Sequence, residues 1–416
     1  MIVPFYYGHT RIENELPNGV EWELLENTFP KAEHEKKIIK SGIDELISQL
    51  KPRFRGTKIL LVVPDHTRKC RLDVICPLLL GEFREHFNVE VEFLIANGSH
   101  VLQPEQTIRE LVSPQIYDNY VVTQHDALSV HNDVYIGRTS MNTKIYLNRK
   151  VVEADYIVTI GGVLFHYFAG FGGGPKMLLP GVAGYETIRE NHCRTIDPQT
   201  GRFHKECYEG NIRTNPVYLD LSEICRYIKN VLSFQVVLND KGYVIQTGVG
   251  PILETHEKMS QIVRKLYGKR IGKKADVVVA SAGGYPADVN MIQTHKSIHH
   301  AFQAVKEGGT IIVSAQCSEK IGSPTFLSYF DSPTSTEIAQ RLTDDYKING
   351  HTALCLKEKT ERAKIILISD LDKTIVEKMG LIHAADFEAA WKLVTEQSFS
   401  FGYAMPQAHI MVPLSP

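Results

Sequence analysis

Six stretches of this chain are dense in β-branched and other apolar residues over the length of a buried strand: Lys58–Val63 (KILLVV), Val89–Ala96 (VEVEFLIA), Tyr156–Ile160, Val277–Ala280, Thr310–Ser314 (TIIVS) and Lys364–Ser369 (KIILIS). Near-continuous apolar runs of this kind are what a strand covered on both faces requires, so each predicts a parallel strand rather than a half-exposed antiparallel one. Between or beside them lie segments with helical periodicity, such as Glu35–Gln49 and Pro251–Tyr267. Strand alternating with helix predicts an α/β fold with mostly parallel sheets flanked by helices. A chain of 416 residues is too long for one ordinary core, so two domains are expected, with three the alternative. The stretch Gly268–Lys274 (GKRIGKK) is basic and poor in apolar residues, and a fresh strand follows it directly. The boundary is therefore placed there, giving domains 1–270 and 271–416 with an active site in the cleft between them.

Composition narrows the partners. Hydrophobic residues make up 43% and charged residues 23%, and Lys+Arg (46) nearly balances Asp+Glu (48), which supplies no broad cationic surface for nucleic acid. No apolar run reaches the roughly 18 residues that a membrane helix needs, and the N-terminus lacks a secretory pattern, so a cytoplasmic protein is expected. The seven cysteines are scattered without a CxxC pair, so neither a structural zinc site nor a disulfide framework is signalled.

Ligands of open α/β sheets bind outside the carboxyl ends of the strands, so the residues after each strand carry the most information. Four strands run into unusual polar loops: Asp65-His66-Thr67-Arg68, Gly98-Ser99-His100, Gly161-Gly162-Val163-Leu164-Phe165-His166, and Gly283-Gly284-Tyr285-Pro286-Ala287-Asp288. Beyond His166 comes AGFGGGPKMLLPG, in which Gly172, Gly173 and Gly174 let backbone approach a ligand closely and offer N–H groups to a phosphate. This is not a Walker A loop, because Lys176 follows Pro175 and precedes Met177, leaving no hydroxyl for magnesium. A merely flexible glycine loop is the plainer alternative. Any one of His100, His166 and His192 alone reads as an ordinary hydrogen-bonded or exposed imidazole; grouped at strand ends they favour a site. A single histidine holds a metal weakly, so such a site makes sense only if a cofactor supplies the other ligands.

The run GGVLFHYFAGFGGGPKMLLPGVAGYETIRENH, with DHTR, GSH and the later YPADVNMIQTHK, resembles the nickel-dependent lactate racemase family over most of the chain. The resemblance implies a nickel-pincer nucleotide, a pyridinium-3-thioamide-5-thiocarboxylic acid mononucleotide holding Ni(II), covalently attached at Lys176. His192 would be the protein's ligand to the metal, and imidazole suits nickel. His100 and His166 would be the two general bases. Asp65, His66, Thr67 and Arg68 would hold cofactor and substrate, with Arg68 suited to grip a carboxylate, and Gln293 and Lys296 would contact substrate from the second domain. The implied reaction inverts C2 of a 2-hydroxy acid: one histidine takes the hydroxyl proton as hydride passes to the cofactor, and the return follows on the other face. Enzymes that build the cofactor are then the partners implied in vivo.

The sequence departs from the family pattern at Pro175, at Lys69-Cys70 after DHTR, at Val101 after GSH and at Ile292 before Gln293. The only tryptophans are Trp22 and Trp391, so one expected around Gly350–Lys357 is missing. These changes bear on which acid is bound, so a longer, aromatic or polyhydroxylated acid stands beside lactate. A zinc metallohydrolase using His100, His166 and His192 as ligands, and a nucleotide-binding module without catalysis, are the alternatives from other classes.

Overall fold

The computed structural model describes residues 1–31, 33–51, 54, 57–394 and 397–414. Twelve strands build its two main sheets: β1 (Glu21–Leu24), β2 (Lys58–Pro64), β3 (Glu90–Ala96), β4 (Val121–Gln124), β5 (Tyr156–Gly162), β6 (Val231–Leu238), β7 (Val244–Gly250), β8 (Ala275–Ser281), β9 (Val305–Ser314), β10 (Lys364–Ile368), β11 (Ile382–Ala384) and β12 (Phe401–Met405). The helices that matter for the sites are α1 (Glu35–Leu50), α2 (Leu72–His86), α3 (Tyr185–His192), α4 (Pro216–Glu223), α5 (Ile252–Tyr267), α6 (Met291–Ala304) and α7 (Gly350–Thr360). Every apolar run read as a strand is one, and the fold is α/β with mostly parallel sheets. Among the described residues no helix is long and apolar enough to cross a membrane.

The chain divides into two compact units. One comprises residues 29–194 and 206–264, the other 1–28, 195–205 and 265–416. The first unit carries a six-stranded sheet in the order β7-β6-β5-β2-β3-β4, parallel throughout except for the β6–β7 pair. Ile39, Ile43, Leu46, Ile47 and Leu50 line one stripe of α1 and are buried with Ile59, Leu61 and Val63 of β2 and Phe234 and Val236 of β6. That spacing of four, three, one and three is the apolar stripe of a helix laid on a sheet. The chain leaves β2 toward β3 and β4 on one side, then returns to β5 and β6 on the other. Its topological switch point therefore falls at β2, where an open parallel sheet forms a ligand crevice beyond the strand ends.

The second unit carries a fully parallel sheet in the order β11-β10-β9-β8-β12-β1. Residues 1–28, which a single boundary near residue 270 assigns to the first domain, belong to this unit. The reason is β1, which adds to the edge of the sheet through register pairs such as Trp22 with Gly402 and Leu24 with Ala404.

Candidate functional site

The loop after β2 folds on its own aspartate. Asp65 is buried, and its Oδ1 accepts hydrogen bonds from the Thr67 backbone N–H (3.0 Å) and hydroxyl (2.6 Å). Its other oxygen, Oδ2, lies 2.5 Å from His100 Nδ1. Burial alone would raise the carboxyl's pKa, but the bonds from His100 and Thr67 and the nearby charge of Arg68 outweigh it and hold Asp65 at about 2. An ionised carboxylate only accepts, so His100 Nδ1 carries the proton and Nε2 the lone pair. His66, Thr67 and Arg68 are exposed on this turn, at the switch point.

His100 itself is set by the loop after β3. Buried Asn97 donates from Nδ2 to Gln124 Oε1 (3.1 Å) and the His125 carbonyl (3.0 Å), and accepts from Gln103 Nε2 at 2.9 Å. Gly98 then takes φ +56 and donates its N–H to the carbonyl of Gly181 at 2.9 Å, which ties this loop to the end of the glycine-rich segment.

β5 leads into that segment. A two-stranded ribbon pairs Phe165 with Phe171 and His166 with Gly170. Gly173 follows at φ +74, and a Cβ there would meet the Gly162 carbonyl at 2.6 Å, so only glycine fits. A single 3₁₀ turn, Gly174–Met177, then aims Lys176 at His166, Nζ to Nε2 being 3.2 Å. His166 Nδ1 accepts the Ala169 N–H at 3.3 Å. Phe168, buried, is the hub: its ring centroid lies 4.5 Å from that of His166, 5.0 Å from that of His192 and 4.9 Å from Lys176 Nζ. Burial first, and the charge of Arg68 second, push the Lys176 ammonium down to about 7. Arg68 and Lys176 are thus electrostatic neighbours.

His192 closes α3 and is buried. Its Nδ1 lies 3.1 Å from Asn191 Oδ1. The orientation of the Asn191 amide is fixed from behind, because its Nδ2 donates to the Val217 carbonyl (3.0 Å) and to Asp220 Oδ2 (2.9 Å), both pure acceptors. Oδ1 therefore faces His192 and accepts from Nδ1–H, which assigns the ring's lone pair to Nε2. Asp220, fully buried on α4, is in turn held by Thr139 (2.5 Å), Thr143 (2.8 Å) and Arg194 (3.0 Å).

These groupings bring together two sets of the residues expected from the sequence: Asp65, Thr67 and His100, and His166, Lys176, His192 and the glycines. Arg68 neighbours the second set. Gln293 and Lys296 lie in the other unit on α6, where Asn290 caps the helix by accepting the Gln293 N–H and Lys296 Nζ donates to Gln293 Oε1 at 2.6 Å. Among the described residues, His100, His166 and His192 do not form a group of ligand atoms within 4.8 Å of one another, which removes the geometric basis for a three-histidine zinc site. Four participants escaped the reading of the sequence: Phe168, Asn191, Asp220 and His256. His256 supports the glycine loop, with Nε2 donating to the Gly172 carbonyl (3.1 Å) and Nδ1 accepting from Tyr218 OH (3.0 Å), and burial keeps it neutral with a pKa lowered to about 4.

Known proteins resemble this chain over nearly its whole length. The family model for the lactate racemase N-terminal domain matches residues 7–202, and that for the lactate racemase C-terminal domain matches residues 271–401. The lactate racemase of Thermoanaerobacterium thermosaccharolyticum is 28% identical over 402 residues, covering 93% of this chain and 92% of its own. That of Lactiplantibacillus plantarum is 26% identical over 373 residues, covering 86% and 85%. The structure of the T. thermosaccharolyticum lactate racemase apoprotein superposes with a TM-score of 0.88 at 25% identity over 100% of both chains. A Thermotoga maritima protein shares the fold, at a TM-score of 0.67 and 16% identity over 92% of this chain and 98% of its own. The protein is accordingly an isomerase, of the racemase class. Its two domain matches together cover most of the chain, and the chain belongs to the lactate racemase family.

Proposed function

We propose that this chain inverts C2 of a 2-hydroxy acid with a nickel-pincer nucleotide carried on Lys176, His192 holding the Ni(II) and His100 and His166 moving the hydroxyl proton. The observation that carries the reading is the grouping of Lys176, His166 and His192 around Phe168. The residues fit the group. An ammonium cannot form an acyl-type bond, and Lys176 is the lysine whose environment favours the free amine. Gly172, Gly173 and Gly174 offer backbone without side chains to a phosphate. Asn191 gives His192 the tautomer that a metal ligand needs, with Nδ1 engaged and Nε2 bearing the lone pair. When bound, the group supplies the redox part of the reaction, taking hydride from C2 and returning it.

The chain's own side chains do the rest. His100, with Nδ1 tied to Asp65, presents Nε2 to the substrate hydroxyl as proton acceptor, and His166 serves the opposite face. Each contributes on the order of 10²–10⁴-fold. Arg68 grips the carboxylate. His66 and Thr67 line the cofactor's place on the same turn, and Gln293 and Lys296 are assigned to the substrate on the resemblance alone. The relatives are named for lactate. Pro175, Val101 and Ile292 depart from the lactate pattern, so a panel of chiral 2-hydroxy acids, aromatic and polyhydroxylated ones included, is the way to fix the substrate. The enzymes that synthesise the cofactor are the proposed partners.

The test is intact mass and nickel content of protein co-expressed with cofactor-synthesis enzymes, beside its Lys176→Ala variant. A mononucleotide mass increment with nickel, lost in the variant, is expected. An unmodified, nickel-free chain under conditions that load another family member would refute the reading.

A further inference from the structure

In the other unit, α6 and α7 enclose side chains that the racemase reaction does not use. His295 and His299 stand one turn apart on α6, and Cys355 of α7 meets them, with all three buried and their ligand atoms within 4.8 Å of one another. We propose that His295, His299 and Cys355 form a binding site for a divalent cation that accepts thiolate and imidazole, zinc above all, separate from the nickel site assigned to His192.

Three features support this. First, His299 Nδ1 and Cys355 Sγ are 3.5 Å apart. A tetrahedral zinc with bonds of about 2.3 Å to sulfur and 2.0–2.1 Å to nitrogen requires an S···N edge of about 3.5 Å, so this pair already has the spacing of two ligands. Second, Lys359 Nζ lies 2.8 Å from Cys355 Sγ and 2.8 Å from the Cys355 carbonyl, placing a positive charge where it favours the thiolate. When a cation takes the sulfur, the ammonium keeps the carbonyl. Third, His299 has an outer partner on its far nitrogen, Gln303, with Nε2 to Nε2 at 3.3 Å. With the Gln303 amide turned over, its Oε1 accepts the Nε2 proton and directs the Nδ1 lone pair at the site, the usual support for a ligating histidine.

Three protein ligands leave one position for water. The seven cysteines carry no CxxC signal, so the site is written in the sequence only as His-x₃-His on one helix and a distant cysteine on another. A cation here would brace α6, the helix that bears Gln293 and Lys296.

The experiment uses the full chain made without the cofactor-synthesis enzymes, stripped with chelator and titrated with zinc or cobalt(II). About one equivalent of zinc per chain is expected, and the cobalt form should show a thiolate-to-metal charge-transfer band with four-coordinate visible bands. His299→Gln should weaken zinc binding at least about tenfold, in line with loss of one ligand or its support. Cys355→Ser should abolish the charge-transfer band, and His192→Ala and Lys176→Ala should change neither. A wild-type chain that takes up no more zinc than a His299→Gln/Cys355→Ser double variant overturns the proposal. So does a wild-type cobalt spectrum without a thiolate band, a result that does not depend on any variant folding.

Discussion

Replacing Asn191 by alanine tests the proposed role of His192 as nickel ligand apart from the general stability of the fold. The substitution deletes three hydrogen bonds of a fully buried amide: to the Val217 carbonyl, to Asp220 and from His192 Nδ1. At about 1 kcal/mol for each neutral bond and about 2 kcal/mol for the bond to a carboxylate, the fold should lose about 4 kcal/mol. The ring of His192 should also lose its fixed tautomer and orientation. Removing such an outer partner typically costs 10–100-fold in metal affinity, or about 1.4–2.7 kcal/mol. The assay is the rate at which chelator extracts nickel from cofactor-loaded protein, with intact mass reporting that the nucleotide stays attached. Thr139→Val is the control: it removes the bond to Asp220 (2.5 Å) and the one accepted from the Thr143 N–H (3.1 Å), loosening the same network without touching His192. Nickel should leave Asn191→Ala roughly 10–100 times faster than wild type and leave Thr139→Val at nearly the wild-type rate. Equal rates for the two variants would show that any softening of this region releases the metal, and the argument from tautomer would fail.

Other predictions concern the lysine, the aspartate and the glycine loop. The Lys176 amine, at about 7 when folded against 10.5 ordinarily, should label with an amine-selective reagent in the cofactor-free chain with half-maximal rate near pH 7. Between those values the unfolded chain holds the extra proton, so this residue makes stability rise with pH, and Lys176→Met should remove that part of the slope in urea melts. Asp65, held at about 2 against 3.8, contributes stability that is present above about pH 4 and lost as pH falls through about 2. Asp65→Asn should thus cost about 1–2 kcal/mol near neutrality, discounted for the exposure of His100, with the gap to wild type closing in acid. The same variant should slow racemisation by about 10²–10⁴-fold through loss of the His100 tautomer, with substrate binding less affected. Gly173→Ala, forced to φ +74 with its Cβ 2.6 Å from the Gly162 carbonyl, should lose about 2–5 kcal/mol in denaturant titration; a loss under 1 kcal/mol would mean the loop relaxes freely.

What the sequence revealed follows from how local each signal is. The strands legible in advance are those densest in β-branched and other apolar residues. Val231–Leu238 (VLSFQVVL) was not among them, because Ser233 and Gln235 interrupt it, although both are buried, with Gln235 Nε2 donating to Ser233 Oγ at 3.0 Å. β1 reads EWEL, an ordinary alternation, and its place is set by pairing with residues 401–404, far along the chain. The site loops were legible because polar, glycine-rich turns after apolar runs are unusual, and Lys176 and His192 because their spacing from His166 matches a family. Asp65 was read as a cofactor or substrate contact, and its bond to His100 spans 35 residues. His256 supports a loop 84 residues before it. Partnerships at such distances leave no periodicity to read, so the residues that orient the candidate site were hidden while the loops they orient were not.

The two histidines assigned to proton transfer are held in unlike ways, and that has a kinetic consequence. His100 donates from Nδ1 to an ionised carboxylate and keeps its lone pair on Nε2. His166 accepts the Ala169 N–H on Nδ1 and has its Nε2 3.2 Å from Lys176 Nζ. The enantiomers of an acid with one stereocentre therefore meet unlike bases, yet they are equal in free energy. Equal free energy forces kcat/KM to be the same in both directions at every pH, since the ratio of the two is the equilibrium constant. Any difference between the bases must then appear as matching changes in kcat and KM separately. Initial rates from each enantiomer across pH 5–9 should show kcat values that differ between directions, with KM differing by the same factor. Identical kcat in both directions throughout would refute the claim that the two settings differ in effect. A kcat/KM ratio away from unity would mean that the substrate has a second stereocentre and that the enzyme is an epimerase.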